Sequence, residues 1–305
     1  MRFNIRREES VMNRSASSGS RTHLLTAVIL LIVLTLPASA DLPGKKSFDS
    51  NGVEIKYLLI GEGAPVLLIH GFAASAVTNW AKVIRILSRD HQIIAIDNRG
   101  HGGSDKPVGE EHYGDEMIHD SIRLLDHLGI EKAHIVGYSM GGYITAKMLA
   151  MYPERMLSAT IAGAGWGKEK SIREATLDEL ADAIDGDRSV APLFNKLLPN
   201  GKARPGIEMK VINFLIMFSN DPDTLASVAR GMKQHTLTKE EIEKIDVPTQ
   251  LVVGSADPIG KAAEAWVEIR PDHRIIIIDG ANHMTTIRRP EFVQAITEFV
   301  DAESS

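Results

Sequence analysis

Short apolar runs alternate with amphipathic segments along most of this chain of 305 residues. Strand-like runs occur at residues 53–60, 65–70, 91–97, 133–138, 156–163, 249–254 and 273–279. Segments with helical periodicity occur at residues 80–88, 115–128, 140–151, 261–269 and 289–302. Strands that are apolar throughout are typical of sheets covered on both faces. Their alternation with helices therefore predicts an α/β fold with a mostly parallel, doubly wound sheet.

This alternation breaks between about residues 165 and 245. The stretch contains helical segments at residues 171–184, 191–198 and 207–218, but no run with the character of a buried strand. We therefore predict that it forms a helical lid inserted into the sheet-forming chain. Within it, the apolar run 211–218 has two interpretations: it lines a pocket, or it packs the lid against the main domain.

The first 40 residues have a different character from the rest of the chain. Five arginines lie within residues 2–21. An apolar run follows at 24–36, and Ala38-Ser39-Ala40 comes shortly after it. This arrangement predicts a secretory signal peptide cut after Ala40, with Met12 as an alternative start. The apolar run is short for a membrane anchor, which needs about 20 residues. We therefore expect the signal peptide to be removed, leaving a mature domain at 41–305 without stable membrane insertion. The expected location is periplasmic or extracellular.

Charge and composition narrow the classes of partner. Removal of residues 1–40 takes away five arginines and two glutamates, which changes the formal net charge from −6 to −9. Because an acidic protein is repelled by phosphate backbones, we expect no nucleic-acid partner. The chain has no cysteine and no H-E-x-x-H pattern, and we expect neither a metal nor another cofactor.

One strand–helix junction carries the strongest chemical signal. The run 133–138 leads into Gly137-Tyr138-Ser139-Met140-Gly141, and a helical segment follows directly. In a Gly-x-Ser-x-Gly corner the serine lies on a strained turn that exposes its hydroxyl above the sheet. Free N–H groups at the start of the next helix suit a developing negative charge.

A serine hydroxyl needs a base and a group that orients that base before it can act as a nucleophile. Asp257 follows one late strand and His283 follows the next, in the chain order Ser, Asp, His. Because the carboxyl ends of parallel strands share one edge of the sheet, we expect Ser139, Asp257 and His283 to meet as a triad. The backbone N–H groups of Met140 and Phe72 are the predicted oxyanion donors. Structural or solvated roles are predicted for His70, which would brace the loop of Phe72, and for His101, His112, His119 and His134.

Taken together, these motifs resemble the α/β-hydrolase superfamily, and in particular its lidded, single-domain, carboxylesterase-like serine hydrolases. The resemblance rests on residues 70–73, 97–104, 137–142, 254–257 and 280–283 and extends over about residues 48–302. It implies the α/β-hydrolase fold with a helical lid after the sixth strand. It also implies Ser139 as nucleophile, His283 as base and Asp257 as acid. A serine at the elbow departs from epoxide hydrolases and haloalkane dehalogenases, which use aspartate there, and argues against those activities.

The expected activity is that of a serine hydrolase that cleaves small to medium carboxylic esters through an acyl-enzyme, with a small-molecule ester as its partner. Three alternatives remain open: carbon–carbon bond or lactone hydrolysis with the same triad, an N-terminal peptidase, and a non-catalytic binding protein on this fold. For the peptidase, acidic lid side chains could hold a substrate ammonium group, although they also fit a solvated helix face. These side chains are Glu169, Glu174, Asp178 and Glu179.

Overall fold

The computed structural model describes residues 44–167, 170–197 and 207–304. In these ranges the strands are β1 (Lys45–Asp49), β2 (Glu54–Ile60), β3 (Ala64–Ile69), β4 (His91–Ile96), β5 (Ala133–Tyr138), β6 (Met156–Ala162), β7 (Thr249–Gly254) and β8 (Arg274–Ile278). The α-helices are α1 (Ala76–Leu87), α2 (Asp115–His127), α3 (Met140–Met151), α4 (Lys170–Asp187), α5 (Ala191–Leu197), α6 (Ile207–Ser219), α7 (Pro222–Gly231), α8 (Lys239–Glu243), α9 (Gly260–Ile269) and α10 (Pro290–Glu303). Short 3₁₀ turns are found at Glu110–His112, Pro153–Arg155, Met232–Gln234 and Thr286–Arg288. The expected signal peptide and Glu169 lie outside the described residues.

The strands form one eight-stranded sheet in the order β1-β2-β4-β3-β5-β6-β7-β8. The pairs β1–β2 and β2–β4 are antiparallel, and the other neighbours are parallel, which confirms the mostly parallel sheet. Strand β1 was not expected from the sequence. Its residues are largely exposed, and Phe48 is its buried side chain, so no apolar run marks it. With β1 counted, Met156–Ala162 is the sixth strand.

Helices cover both faces of the sheet, and each face has its own apolar core. On one face α1 and α10 pack together, with the rings of Trp80 and Phe292 stacked at a centroid distance of 6.3 Å. On the other face α2 and α3 pack against the strands together with Trp266 of α9. Every residue of β5 is buried as a result. Such two-sided burial is the reason that the inner strands are apolar throughout rather than alternating.

Helix α1 begins earlier than its apolar pattern predicts. The periodicity starts at Trp80, whereas the helix starts at Ala76 because Ser75 and Thr78 form a capping box. The Ser75 hydroxyl accepts from the Thr78 N–H, and the Ser75 N–H donates to the Thr78 hydroxyl at 2.8 Å. The added turn places Thr78, Asn79 and Lys82 at helical spacing on one face of α1.

The helical insertion expected after the sixth strand is present. Helices α4 to α7 follow β6, and they enclose an apolar cluster of their own. Its buried members are Leu180, Ala181, Ile184, Val190, Phe194, Ile216, Leu225, Ala226 and Ala229. Helix α8 then leads the chain back to β7. In the described ranges, no helix is both long and apolar enough to cross a lipid bilayer.

A buried ion pair fixes the loop that follows β4. The Arg99 guanidinium donates to both carboxylate oxygens of Asp120 on α2, at 2.6 and 2.7 Å. Ser50 adds a hydroxyl bond to the same carboxylate at 2.6 Å. The side chains of Arg99 and Asp120 are 3% and 1% exposed, so neither charge can be solvated if its partner is removed.

We expect Arg99→Met to lower the free energy of unfolding by about 3–5 kcal/mol, because it removes both guanidinium hydrogen bonds from the buried Asp120 carboxylate. Equilibrium urea denaturation would measure this loss. The matched control is Arg123→Met, since the Arg123 side chain also lies near Asp120 but is 32% exposed. That control should cost less than about 1 kcal/mol, and equal losses in the two variants would contradict this account of the ion pair.

Candidate active site

The corner between β5 and α3 holds Ser139 in a strained backbone conformation. Its φ and ψ are 54° and −113°, a left-handed conformation that residues other than glycine rarely adopt. The flanking glycines are required by close packing. A Cβ on Gly137 would lie 2.0 Å from the Gly141 carbonyl oxygen, and one on Gly141 would lie 2.0 Å from the Ile69 carbonyl oxygen. The Gly-x-Ser-x-Gly pattern therefore has the strand–helix geometry expected for it.

A continuous hydrogen-bond chain connects Ser139, His283 and Asp257. The Ser139 Oγ lies 3.0 Å from His283 Nε2, and His283 Nδ1 lies 2.8 Å from Asp257 Oδ2. The second carboxylate oxygen of Asp257 accepts from the Ile259 N–H at 3.0 Å. Because the Asp257 carboxylate can only accept a hydrogen bond, the His283 Nδ1 carries the ring proton. The unprotonated Nε2 can then accept a hydrogen bond from the Ser139 hydroxyl. The structure thus brings together the three side chains that the sequence singled out.

Tyr138 and Gly163 support the imidazole of His283, and neither was identified from the sequence. The Tyr138 hydroxyl donates to the His283 backbone carbonyl, and the two rings lie 5.4 Å apart between centroids. Burial raises the pKa of Tyr138, so its hydroxyl stays protonated and remains a donor. Gly163 has a φ of +56°, and a Cβ there would lie 3.1 Å from the Cε1 of His283. Both contacts join distant segments, and no local pattern in the sequence marks them.

The loop after β3 is held against Ser139 from several sides. The Gly71 N–H donates to Asn79 Oδ1 at 2.7 Å, and the Gly71 carbonyl accepts from His70 Nδ1 at 2.8 Å. His70 Nε2 in turn accepts from the Asn98 N–H at 3.0 Å. A Cβ on Gly71 would lie 3.4 Å from the Cβ of Ser139, which places this loop in van der Waals contact with the elbow.

The two residues predicted as oxyanion donors lie beside this contact. Phe72 follows the fixed Gly71 peptide and lines the same cavity as Ser139. Met140 is the first residue of α3, directly after Ser139. N–H groups in the first turn of a helix have no partner within the helix, so the Met140 N–H is available to a ligand at the elbow.

The other histidines named from the sequence lie in structural or surface positions. Burial lowers the pKa of His70, and burial with the neighbouring His70 ring lowers the pKa of His101 to about 3, so both rings are neutral at neutral pH. His134 is held between the Ser158 and Ser304 hydroxyls, at 2.8 and 2.9 Å. His119 contacts Glu116 and His112 contacts Glu111, both at the surface.

A cavity of about 440 Å³ opens at Ser139 and His283, between the sheet edge and the lid. The lid contributes an apolar wall, formed by Val190, Leu193, Phe194, Leu197, Ile212 and Ile216. The segment 211–218 is therefore divided between two environments. Ile212 and Ile216 face the cavity, whereas the side chains of Phe214 and Phe218 are 66% and 76% exposed. The pocket-lining interpretation holds for one face of α6.

Within the described residues, no cluster of three or more His, Asp or Glu side chains could hold a metal ion.

Comparison with known proteins gives the family. The model of the alpha/beta hydrolase fold matches residues 64–290, which is most of the chain. The chain belongs to the α/β-hydrolase family. This confirms the resemblance drawn from the motifs, and the fold described above is the fold of that family.

Relatives of this α/β hydrolase include enzymes named for different reactions. The chain is 31% identical over 268 residues to 2-hydroxy-6-oxo-6-(2'-aminophenyl)hexa-2,4-dienoic acid hydrolase of Metapseudomonas resinovorans, covering 83% of this chain and 89% of the relative. It is 29% identical to 3-oxoadipate enol-lactonase 1 of Acinetobacter baylyi, covering 78% and 90%. A solved thermophilic esterase from Thermogutta terrifontis superposes with a TM-score of 0.70 at 23% identity, covering 86% of this chain and 99% of that one.

The acidic lid residues named from the sequence do not line the cavity where the structure describes them. Among the described ones, Glu174, Asp178 and Glu179 are absent from the cavity lining. Asp178 instead accepts from Lys233 Nζ at 2.8 Å. The described residues therefore give no site for a substrate ammonium group beside Ser139.

We expect Tyr138→Phe to slow the labelling of Ser139 by a fluorophosphonate about tenfold, the rate equivalent of one lost hydrogen bond of about 1.4 kcal/mol. Loss of the hydroxyl frees the His283 carbonyl, so the imidazole is held less firmly against Ser139. The matched control is Tyr113→Phe, since the buried Tyr113 hydroxyl donates to the Pro107 carbonyl at 2.5 Å in another part of the molecule. Both variants should lose about 1–3 kcal/mol of stability. Equal labelling rates in both variants would contradict a role for Tyr138 in positioning His283.

Proposed function

We propose that this hydrolase cleaves small to medium carboxylic esters through an acyl-enzyme formed on Ser139. The observation that carries the proposal is the unbroken bond chain from the Ser139 hydroxyl through His283 to Asp257, at 3.0 and 2.8 Å. A binding protein has no need of a serine that is hydrogen-bonded to a buried imidazole and carboxylate, since this arrangement serves proton removal.

In the first half of the reaction, Ser139 Oγ attacks the ester carbonyl carbon while His283 Nε2 takes the hydroxyl proton. Asp257 holds the imidazole in the tautomer with its proton on Nδ1 and stabilises the positive charge that develops on the ring. The N–H groups of Met140 and Phe72 donate to the carbonyl oxygen as it becomes an oxyanion. Loss of one such donor typically costs about 10²–10³ in rate.

The tetrahedral intermediate then collapses, and His283 returns its proton to the leaving alcohol oxygen as the acyl-enzyme forms. In the second half, water enters in place of the alcohol, and His283 takes a proton from it as the water oxygen attacks the acyl carbonyl carbon. As the bond to Ser139 Oγ breaks, His283 gives that proton to the serine oxygen, and the carboxylic acid is released. The apolar lid wall and the volume of about 440 Å³ favour substrates with a short to medium hydrocarbon part.

A second candidate is carbon–carbon bond hydrolysis by the same residues. It is supported by 31% identity to 2-hydroxy-6-oxo-6-(2'-aminophenyl)hexa-2,4-dienoic acid hydrolase. The 29% identity to an enol-lactonase supports lactone hydrolysis in the same way. Turnover of a vinylogous diketone without turnover of simple esters would favour the carbon–carbon reaction.

The deciding measurement uses the purified protein and its Ser139→Ala variant with a fluorophosphonate probe and with p-nitrophenyl acetate, butyrate and octanoate. We expect probe labelling and ester turnover in the parent, and loss of both in the variant, with turnover reduced by at least about 10⁴-fold. The chain-length profile would measure the depth of the cavity. A folded parent protein that is not labelled would contradict the assignment of Ser139 as nucleophile.

We also propose that the protein is exported and cut after Ala40, on the basis of the arginine-rich start, the apolar run and the Ala38-Ser39-Ala40 ending. When the full chain is expressed in bacteria with its own N-terminus, N-terminal sequencing of the exported fraction should begin at Asp41. Ala40→Lys should block this cleavage, because the processing site requires a small residue. Recovery of the parent protein with residues 1–40 still attached would contradict the proposal.

A further inference from the structure

Two basic side chains line the described part of the cavity. Within the described part of the chain, the cavity lining contains Lys82, Arg288 and His283, and it contains no aspartate or glutamate. The whole chain, by contrast, carries 40 acidic and 34 basic side chains. The cavity lining therefore differs from the chain as a whole, because it carries basic side chains without acidic ones.

The two basic residues are in contact on the cavity wall. Lys82 lies on α1, and Arg288 ends the 3₁₀ turn Thr286–Arg288 shortly after His283. The Lys82 Nζ donates to the backbone carbonyl of Arg288 at 3.1 Å. This bond uses one of the three ammonium N–H groups and leaves two for a ligand. Neither side chain forms an ion pair with a carboxylate in the described part of the structure, whereas Arg99, Arg155 and Arg230 all do.

Asn79 adds a neutral donor to the same wall. The Gly71 N–H must meet an acceptor, so the amide oxygen of Asn79 faces Gly71 and the amide nitrogen is directed elsewhere. Asn79 and Lys82 are three residues apart on α1, on the face that lines the cavity. One side of the cavity is therefore a wall of donors, formed by Asn79, Lys82 and Arg288, and the lid side is apolar.

We propose that this donor wall binds a negatively charged group of the substrate, so that the enzyme acts on esters that carry a carboxylate or phosphate in addition to the bond that is cleaved. This inference rests on the proposed hydrolytic function and specifies its substrate class. Lys82 is half-buried and Arg288 is exposed, and both belong to the cavity lining, so a substrate anion can reach them from inside the cavity. An anion there would receive charge-assisted hydrogen bonds, which are about twice as strong as neutral ones. The apolar lid wall would cover the hydrocarbon part of the same molecule.

The kinetic test compares mono-p-nitrophenyl glutarate with p-nitrophenyl valerate, which have similar acyl chains and differ in the distal carboxylate. The parent enzyme should prefer the anionic ester in kcat/KM by at least about tenfold, and added salt should erode the preference. Lys82→Gln and Arg288→Gln should each lower kcat/KM for the glutarate about tenfold, and leave the valerate within about twofold. Retained valerate turnover shows that each variant is folded.

The matched control is Arg85→Gln, which removes the same charge from the next turn of α1, at an exposed residue outside the cavity lining. It should leave the preference for the anionic ester unchanged. If the parent enzyme hydrolyses the valerate as well as the glutarate, or if Arg85→Gln has the same effect as Lys82→Gln, the proposal is overturned.

A binding measurement keeps this inference separate from the proposed reaction. In the Ser139→Ala background, monoethyl glutarate, monobutyl phosphate and neutral ethyl valerate are titrated by calorimetry. These ligands are small enough to place either end against the donor wall. Tighter binding of the glutarate identifies a carboxylate site, and tighter binding of the phosphate identifies a phosphate site. Either preference should fall about tenfold on Lys82→Gln. If both anions bind no more tightly than the valerate, the proposal fails whether or not the parent enzyme cleaves esters.

Discussion

The positive φ of Ser139 is the constraint on which the active site depends. A non-glycine residue in such a conformation costs about 1–3 kcal/mol, so the surrounding structure has to enforce it. Strand β5 does so from one side, because it lies in the middle of the sheet with every residue buried. Helix α3 does so from the other side, where Gly137 and Gly141 permit a strand–helix approach that no Cβ would allow. The hydroxyl is therefore directed out of the sheet edge by the core itself.

The partners of Ser139 reach it because the pairing of the strands continues into the loops beyond them. The Ser139 N–H donates to the Ala162 carbonyl after β5, and the Gly163 N–H donates to the Val252 carbonyl after β6. The Ser255 and Ala256 N–H groups donate to the chain that leads from β8 towards His283. These bonds join each loop to its neighbour in strand order. They fix the spacing between side chains that are more than 100 residues apart in sequence.

The sequence was most informative where the physical signal is local. Buried parallel strands are apolar throughout, and the Gly-x-Ser-x-Gly corner needs its glycines for steric reasons, so the strands from β2 onward, the elbow and the order of the three site residues could be predicted. Strand β1 has a single buried side chain and left no such pattern. The start of α1 depends on a polar capping box rather than on apolar periodicity. The contacts of Tyr138 with His283 and of Lys82 with Arg288 join segments 145 and 206 residues apart. Local sequence patterns therefore cannot predict them.

The triad residues and the walls of the substrate cavity belong to different parts of this molecule. The reactive side chains stand on the ends of sheet strands, whose positions are fixed by the buried core. The cavity walls come from the lid helices, from one face of α1 and from the turn after His283, all of which lie outside the sheet. Relatives at about 30% identity are named as a hydrolase of a hexadienoic acid derivative and as an enol-lactonase, although both align over most of the same chain. A sheet edge that activates a serine is compatible with each of these, so the choice among them has to be made by the walls. In this chain those walls combine an apolar lid with two basic side chains, Lys82 and Arg288.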